Sequence, residues 1–296
     1  MGEKARIGWI GLGNMGQPMS KRLVEAGYPV TVYNRTKEKA AEVVSAGAKL
    51  AESPAAVARA SDFVFTMVAD SAALEEVSLG PDGLVEGLNP GSVVIDMSTV
   101  SPESSLKVNA AVEGKGGKFL RAPVTGSTVL ARAGTLGILC SGDRAAYERT
   151  LEIFQVLGKN QFYLGAGEES RYMKLALNMM IGTSMQMMAE SLVFGKRAGL
   201  DWAQMIQVIA GSAVGSPLVQ YKAKPVTERN FTPAFTVKLM EKDFDLALNI
   251  AKNMDVSLPV TALTRQFLAS ARSTGKGDLD FAALILVAEE MAGMKE

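Results

Sequence analysis

Residues 7–16 read Ile7-Gly8-Trp9-Ile10-Gly11-Leu12-Gly13-Asn14-Met15-Gly16. The apolar run before Gly11 predicts a buried strand, and the pattern of residues 15–26 predicts an amphipathic helix. Between them, Gly11 permits a tight turn, Gly13 lets the backbone approach a pyrophosphate, and Gly16 allows close packing of helix on strand. Backbone N–H groups at the helix N-terminus then face the phosphates. The sequence therefore predicts a dinucleotide-binding turn.

The end of the second predicted strand, at residues 29–34, indicates which dinucleotide is bound. An NAD site usually carries Asp or Glu about 20 residues past the glycine turn, where it binds the ribose 2′-OH. This chain instead reads Asn34-Arg35-Thr36. The Arg35 guanidinium can pair with a 2′-phosphate, and Asn34 and Thr36 can add hydrogen bonds. We expect NADP(H); the alternative is that Arg35 is a solvated surface residue.

Apolar runs alternate with helical patterns through the first half of the chain, which predicts βαβ units and a parallel sheet. The predicted strands are residues 6–11, 29–34, 62–67, 92–97 and 118–122, with a further pair at 137–141 and 161–164. After Gly165-Ala166-Gly167 the pattern is almost wholly helical, and residues 168–196 are apolar nearly all round.

The predicted fold class is α/β, with an N-terminal Rossmann doubly wound parallel sheet, a long central helix and an all-α C-terminal domain. The predicted domains are an NADP-binding domain at 1–165 and a helical substrate and dimerisation domain at 166–296. An apolar central helix needs cover beyond a small helical domain, which predicts a homodimer or homotetramer.

Composition excludes several function classes. The 296 residues carry equal numbers of acidic and basic side chains, no histidine and one cysteine. Interspersed charges argue against a nucleic-acid partner, and polar residues within the most apolar segment argue against a membrane span. One cysteine allows no internal disulfide and favours a reducing, cytoplasmic setting. Without histidine there is no Ser-His-Asp triad and no histidine zinc ligand, and we expect no metal.

Acid–base chemistry therefore falls to Lys, Tyr, a carboxylate or water. In an open parallel sheet the ligand cleft lies beyond the carboxyl ends of the strands. Lys174 and Asn178 are spaced i, i+4 and share one helical face. A lysine in an apolar segment is costly to bury without a partner or a purpose. If this face closes on the cleft, the ammonium can donate a proton to a carbonyl oxygen as hydride arrives. The alternative is a lysine that reaches solvent beside a packing amide.

Four separated motifs, and a fifth weaker one, carry a family resemblance. They are Gly11-Leu12-Gly13-Asn14-Met15-Gly16-Gln17-Pro18-Met19, Asp96-Met97-Ser98-Thr99, Ala122-Pro123-Val124-Thr125-Gly126-Ser127, the segment 165–178 with Lys174, and Lys242-Asp243-Phe244-Asp245-Leu246-Ala247. In this order they resemble the β-hydroxyacid dehydrogenase family over essentially the whole chain. The loop that starts at Thr125 is most similar to that of the glyoxylate/succinic semialdehyde reductase branch.

The resemblance implies a role for each matching residue. Lys174 is the expected acid/base, and Asn178 its neighbour at the substrate. The expected substrate contacts are Ser98, Thr125, Gly126, Ser127 and Asp243. The expected cofactor contacts are Gly11, Gly13, Asn14, Met15, Gly16, Asn34, Arg35, Thr36, Met67, Val68, Thr99 and Lys242. For Lys242 and Asp243 a solvated helix pair is a serious alternative.

The expected activity is NADPH-dependent reduction of small aldehyde acids such as glyoxylate or succinic semialdehyde. The alternative within the family is oxidation of 3-hydroxyisobutyrate or a related 3-hydroxy acid. Cyclic-imine reduction and a binding-only role are less favoured, because relatives of those kinds tend to lack the lysine. Two departures bear on the substrate: Thr128 and Val129 replace the usual lysines after the serine, and Arg121 stands where an acidic or neutral residue is more usual.

Overall fold

The computed structural model describes residues 4–294. The chain divides into two compact units, Met1–Lys174 and Leu175–Glu296. We refer to them as the first and the second unit. The domain boundary predicted near residue 165 stays a prediction.

The first unit is built on a mixed sheet whose larger part is parallel. Its strands are β1 (Ile7–Ile10), β2 (Val30–Tyr33), β3 (Lys49–Leu50), β4 (Phe63–Thr66), β5 (Val93–Asp96), β6 (Lys118–Arg121), β7 (Val124–Thr125), β8 (Leu136–Gly142) and β9 (Gly158–Tyr163). Their order is β3-β2-β1-β4-β5-β6-β8-β7, with β9 paired to β8. All neighbours from β3 to β6 are parallel. Their carboxyl ends therefore lie at one edge, and the predicted Rossmann sheet is confirmed.

Helices cover this sheet. They are α1 (Gly16–Glu25), α2 (Ala41–Ser45), α3 (Pro54–Arg59), α4 (Ser71–Leu79), α5 (Pro102–Gly114), α6 (Thr128–Ala133) and α7 (Arg144–Leu157). Ser53, Asp70, Ser101 and Asp143 each accept a backbone N–H at the start of a helix, which satisfies a donor that the helix itself leaves without a partner. In the core, the fully buried rings of Trp9 and Phe65 stack with centroids 5.3 Å apart.

Two strands were not predicted, and both are short. β3 and β7 each have two residues, which is too few to show an alternation of apolar and polar side chains. Between β2 and β3 the chain forms a 3-10 turn, Lys37–Ala40, which leads directly into α2. The antiparallel pairing of β8 with β6 also goes beyond the predicted parallel sheet.

The helix α8 (Glu169–Arg197) begins in the first unit and continues into the second. The second unit further contains α9 (Trp202–Gly211), α10 (Pro217–Thr227), α11 (Val237–Asn253), α12 (Pro259–Ala271) and α13 (Leu284–Met291). Within residues 175–294 the only extended pairing is an isolated bridge between Thr236 and Asp280. The predicted helical second half is thus confirmed. Across residues 4–294, no helix combines the length and apolarity that crossing a membrane requires.

Close packing of α8 on α11 depends on Gly182. A Cβ at this position would lie 2.5 Å from Cε2 of Phe244, well inside van der Waals contact. Phe244 and Met240 are buried in the same apolar cluster. Because Gly182 has no side chain, the Phe244 ring of α11 packs directly against the backbone of α8.

Candidate active site

The inner side of the glycine turn is closely packed against neighbouring backbone and the Trp9 side chain. Gly11 has φ +98°, a conformation that favours glycine, and a Cβ there would lie 2.3 Å from the carbonyl oxygen of Met67. Trp9 Nε1 donates to the Gly11 carbonyl at 3.0 Å. A Cβ at Gly16 would lie 2.0 Å from that same carbonyl oxygen. Main-chain atoms are therefore in direct contact where β1 and β4 end and α1 begins.

On its outer side the turn is open. A Cβ at Gly13 would meet no atom within 4 Å. The helix α1 begins there with Met15 as its N-cap, and Met15 makes no side-chain cap hydrogen bond. Open space beside backbone N–H groups at a helix N-terminus is what a pyrophosphate requires. The residues present therefore fit a dinucleotide.

Asn34 shapes this turn. Its Oδ1 accepts from the Leu12 amide at 2.8 Å, and its Nδ2 donates to the Thr36 carbonyl at 2.8 Å. The side chain thus joins the end of β2 to the glycine turn, a role that the sequence did not indicate. The predicted bond from Asn34 to a 2′-phosphate stays a prediction.

Arg35 extends into solvent directly after Asn34. Its side chain is 86% exposed, and its nearest anionic partner is Glu76, with Arg35 NH1 and Glu76 Oε2 3.9 Å apart. An exposed pair at this distance contributes little to stability, about 0–1 kcal/mol. The guanidinium can therefore turn to a phosphate at small cost.

Ser98 joins the ends of β4 and β5. Its hydroxyl donates to Asp96 Oδ1 at 2.7 Å and accepts from the Val68 amide at 2.9 Å. Asp96 Oδ1 also accepts from the Thr66 hydroxyl at 2.6 Å. Ser98 is almost fully buried. The hydroxyl bonds within the protein and fixes the loop of Met67 and Val68, and the predicted contact of Ser98 with the substrate stays a prediction. Thr99, which follows, is half-buried.

The loop predicted to bind the substrate follows β6. Thr125 ends β7, Gly126 is exposed with φ +132°, and Ser127 is the N-cap of α6. Ser127 makes no side-chain cap hydrogen bond, so its hydroxyl is not committed to the helix. A Cβ at Gly126 would lie 2.8 Å from Leu136 Cδ2. The loop can therefore offer hydroxyl groups and backbone N–H groups to a carboxylate.

Three predicted residues come together in the second unit. Asn178 is buried on α8 and its Nδ2 donates to Asp243 Oδ2 at 2.5 Å. Lys242 Nζ lies 2.9 Å from Asp243 Oδ1. The Asp243 side chain is fully buried, which is not the environment of a solvated helix pair. Asp243 thus fixes the amide of Asn178, while the contacts that we predicted for these residues with substrate and cofactor stay predictions.

Sequence reasoning missed a buried ionic chain in the first unit. Arg121 Nε donates to Glu168 Oε1 at 2.6 Å, and Arg171 Nε lies 3.1 Å from Glu168 Oε2. Arg171 NH2 donates to Asp96 Oδ2 at 2.8 Å, and its NH1 donates to the Ser98 carbonyl at 3.2 Å. The available signal was an arginine at the end of a buried strand, together with a glutamate and an arginine at the start of an apolar helix. Sequence alone could not pair residues so distant along the chain.

Arg171 also locates Lys174. The two residues are spaced i, i+3 on α8, so their Cβ atoms lie about 5–6 Å apart. Since the Arg171 guanidinium contacts the carbonyl oxygen of Ser98, this turn of α8 lies at the carboxyl end of β5. Lys174 is half-buried there.

The single cysteine, Cys140, is unsuited to act as a nucleophile. Burial raises the pKa of the Cys140 thiol to about 12, so it stays protonated and weakly nucleophilic near neutral pH. In the described part of the chain, no three His, Cys, Asp or Glu side chains are grouped so that they could hold a metal ion.

Comparison with known proteins also indicates a dinucleotide-binding protein. Residues 6–165 match a family model described as the NAD binding domain of 6-phosphogluconate dehydrogenase. Residues 165–288 match one described as NAD-binding of NADP-dependent 3-hydroxyisobutyrate dehydrogenase. Glyoxylate/succinic semialdehyde reductase 1 of Arabidopsis thaliana is 40% identical, over 94% of this chain and 96% of that protein.

Two solved structures agree with these matches. A 3-hydroxyisobutyrate dehydrogenase from Salmonella typhimurium has a TM-score of 0.89 at 25% identity, and the match covers 96% of this chain and 100% of that one. A protein named Psf3, in complex with NADP+ and a compound abbreviated 2-OPP, has a TM-score of 0.89 at 27% identity, over 95% and 99% of the two chains.

The glycine turn on a parallel sheet fits a nicotinamide dinucleotide. Together with the matches above, it defines an oxidoreductase that acts on CH–OH groups. Within that class, the chain belongs to the β-hydroxyacid dehydrogenase family.

Gly13 and Gly16 should respond differently to substitution by alanine. Gly13→Ala adds a methyl group to open space, so the free energy of unfolding should stay within about 0.5 kcal/mol of the natural protein. The same methyl occupies the pyrophosphate position, so the Kd for the dinucleotide should rise at least tenfold. Titration of cofactor fluorescence and urea unfolding measure the two quantities.

Gly16→Ala is the matched comparison. Its methyl would meet the Gly11 carbonyl oxygen, so it should destabilise the first unit by about 1–3 kcal/mol as well as weaken binding. If Gly13→Ala bound the cofactor normally, the dinucleotide would not lie over this turn.

Proposed function

We propose that the protein is an NADPH-dependent reductase of small aldehyde acids, glyoxylate and succinic semialdehyde among them, with Lys174 as the general acid. The supporting observation is the bond from Arg171 to the carbonyl oxygen of Ser98. It ties the turn of α8 that carries Lys174 to the same sheet edge as the glycine turn. Ligands of open parallel sheets bind beyond this edge.

Each step of the proposed reaction has an assigned group. NADPH, when bound at the glycine turn, would supply the hydride that reduces the carbonyl carbon of the aldehyde. As the C=O double bond becomes a single bond, the Lys174 ammonium donates a proton to the oxygen, and the amine is reprotonated from solvent. Backbone N–H groups and hydroxyls of residues 125–127 hold the substrate carboxylate. Asn178, one turn beyond Lys174, orients the lysine or the substrate, and Asp243 fixes its amide.

The choice of NADP(H) is supported by Arg35 and by the lack of a carboxylate at the end of β2. The solved relative with bound NADP+ is consistent with this choice. An exposed guanidinium can make a bidentate contact with a 2′-phosphate, which a ribose 2′-OH cannot match.

Oxidation of 3-hydroxyisobutyrate or a related 3-hydroxy acid is the second candidate. It is supported by the Salmonella enzyme of that name, which is similar over nearly the whole chain. The same residues would act in reverse, with neutral Lys174 accepting the hydroxyl proton. The substrate therefore distinguishes the two candidates, and the catalytic machinery does not.

Lys174→Ala tests the central step. Removal of a positioned general acid should lower kcat by about a hundredfold to ten-thousandfold while the Kd for NADPH stays unchanged. Rates should be measured with glyoxylate, succinic semialdehyde and other short aldehyde acids, and in the reverse direction with 3-hydroxyisobutyrate. Unchanged kcat in the variant would rule out the lysine mechanism. Faster turnover of 3-hydroxyisobutyrate than of any aldehyde acid would favour the second candidate.

Arg35→Asp tests the cofactor assignment. Loss of the guanidinium and repulsion by the new carboxylate should lower kcat/KM for NADPH about tenfold to hundredfold, relative to NADH. Glu76→Gln is the matched control, because it removes only the partner of Arg35 and should leave the preference for NADPH intact. A natural protein that prefers NADH tenfold would overturn the assignment.

We also propose that the protein forms a homodimer or homotetramer. Met180, Met187 and Phe194 lie on one face of α8 at intervals of seven residues and are 69%, 64% and 79% exposed. Such a spacing is typical of a helix that packs along a partner, and so apolar a stripe is unusual on a free surface.

Phe194→Lys should shift the protein to a smaller species in sedimentation velocity, because a charge in an apolar interface lacks solvation. Lys252→Glu, on the exposed surface of α11, should leave the species unchanged. A natural protein that sediments as a strict monomer would contradict this assignment.

A further inference from the structure

Four ionic side chains are enclosed in the interior of the first unit. Asp96 and Arg171 have side chains 0% and 1% exposed, and Arg121 and Glu168 are 4% and 7% exposed. They form one chain in the order Arg121, Glu168, Arg171, Asp96. Two positive and two negative charges balance, so the chain is neutral as a whole.

Stability alone does not account for this arrangement. Removing charges from water is costly, and well-packed apolar residues can often replace a buried ionic group without loss of stability. What an ionic chain adds is direction, because each bond requires a donor and an acceptor at fixed angles. The role of the ionic chain therefore depends on which segments of the protein it holds in place.

It joins the three segments of the first unit that we assign to the reaction. Asp96 ends β5, and Arg121 ends β6 just before the substrate loop. Glu168 directly precedes α8, and Arg171 lies in its first turn. The Ser170 hydroxyl adds a bond to the Arg121 carbonyl at 3.0 Å. The start of α8 is thus fixed to two strand ends at once.

Arg171 is the central member. Its guanidinium reaches Glu168, the carbonyl of Ser98 and Asp96 with three different nitrogens. Only arginine has donors in this planar fork; a lysine ammonium keeps the charge but cannot reach three acceptors spread in this way. Lys174 follows one turn later on the same helix, so a shift of this turn moves the lysine.

We propose that Arg171 is a positioning residue that sets the location of Lys174 for proton transfer, an inference that rests on the proposed function. The other carboxylate oxygen of Asp96 holds Ser98, and Ser98 holds the amide of Val68. The Asp96 carboxylate therefore aligns both α8, which carries Lys174, and the loop of Val68, which we expect at the cofactor. A misplacement of about 1 Å in such an arrangement lowers rates about a hundredfold.

Arg171→Lys is the informative variant, because it retains the positive charge between Asp96 and Glu168. We expect kcat for the reduction of the best aldehyde acid to fall between tenfold and a hundredfold, with little change in the Kd for NADPH. The same substitution in a Lys174→Ala background should have no further effect on the residual single-turnover rate, since the group that it positions is gone.

One further variant is a control, and another is a second test of the ionic chain. Lys222→Arg alters a second buried ion pair, in which Lys222 Nζ donates to Asp280 Oδ1 at 2.6 Å in the second unit, and kcat should not change. Asp96→Asn retains the side-chain shape and removes the charge facing Arg171, and it replaces Arg171→Lys if that variant does not fold. Urea unfolding of each variant separates loss of stability from loss of rate.

The outcomes distinguish the two proposals. If Lys174→Ala lowers kcat and Arg171→Lys lowers it only when Lys174 is present, the positioning role holds. If Arg171→Lys lowers the rate equally in both backgrounds, or leaves it unchanged, Arg171 does not act through the lysine. If Lys174→Ala leaves kcat unchanged, the proposed function fails and the positioning role fails with it.

Discussion

The bond between Arg171 and Asp96 fixes the first unit at the point where chemistry is proposed. It joins the start of α8 to the end of a central strand, far away along the sequence. A parallel sheet brings its strand ends to one edge but does not by itself bring a helix from the far end of the unit to that edge. An ion pair sealed from water achieves this with defined geometry. The position of Lys174 depends on it.

Backbone contacts at the glycine turn determine where the dinucleotide can approach the first unit. Gly11 and Gly16 have no room for a side chain, because the Gly11 and Met67 carbonyls occupy the space. Gly13 has room, and it is the position at which a pyrophosphate would approach. Equivalent residues in one motif thus serve two purposes, packing within the protein and access for a ligand. The motif could be recognised in the sequence because both purposes require glycine.

Much of the fold could be predicted, because the strands of the parallel sheet are continuous apolar runs and the glycine turn has a fixed spacing. Asn178 and Asp243 were each singled out by the family resemblance, and the hydrogen bond that joins them was seen only in the structure. The bond from the Ser98 hydroxyl to Asp96 could not be predicted, because a motif names the residue but not the direction of its side chain. The ionic chain could not be predicted from the sequence, because no local pattern shows which buried arginine pairs with which carboxylate.

Two buried ion pairs in this protein show how function can be separated from architecture. Lys222 and Asp280 have side chains 5% and 4% exposed, and those of Arg171 and Asp96 are 1% and 0% exposed, so both pairs are buried. Asp280 Oδ2 accepts the amide of Ala234 and its Oδ1 that of Ala282, so this pair orders turns within the helical unit. Asp96 holds Ser98, which leads to the loop after β4, while Arg171 lies one turn from a lysine. Burial and charge are alike in the two pairs. What differs is the segment that each pair holds, and this is why a buried ion pair gains functional meaning only from its neighbours.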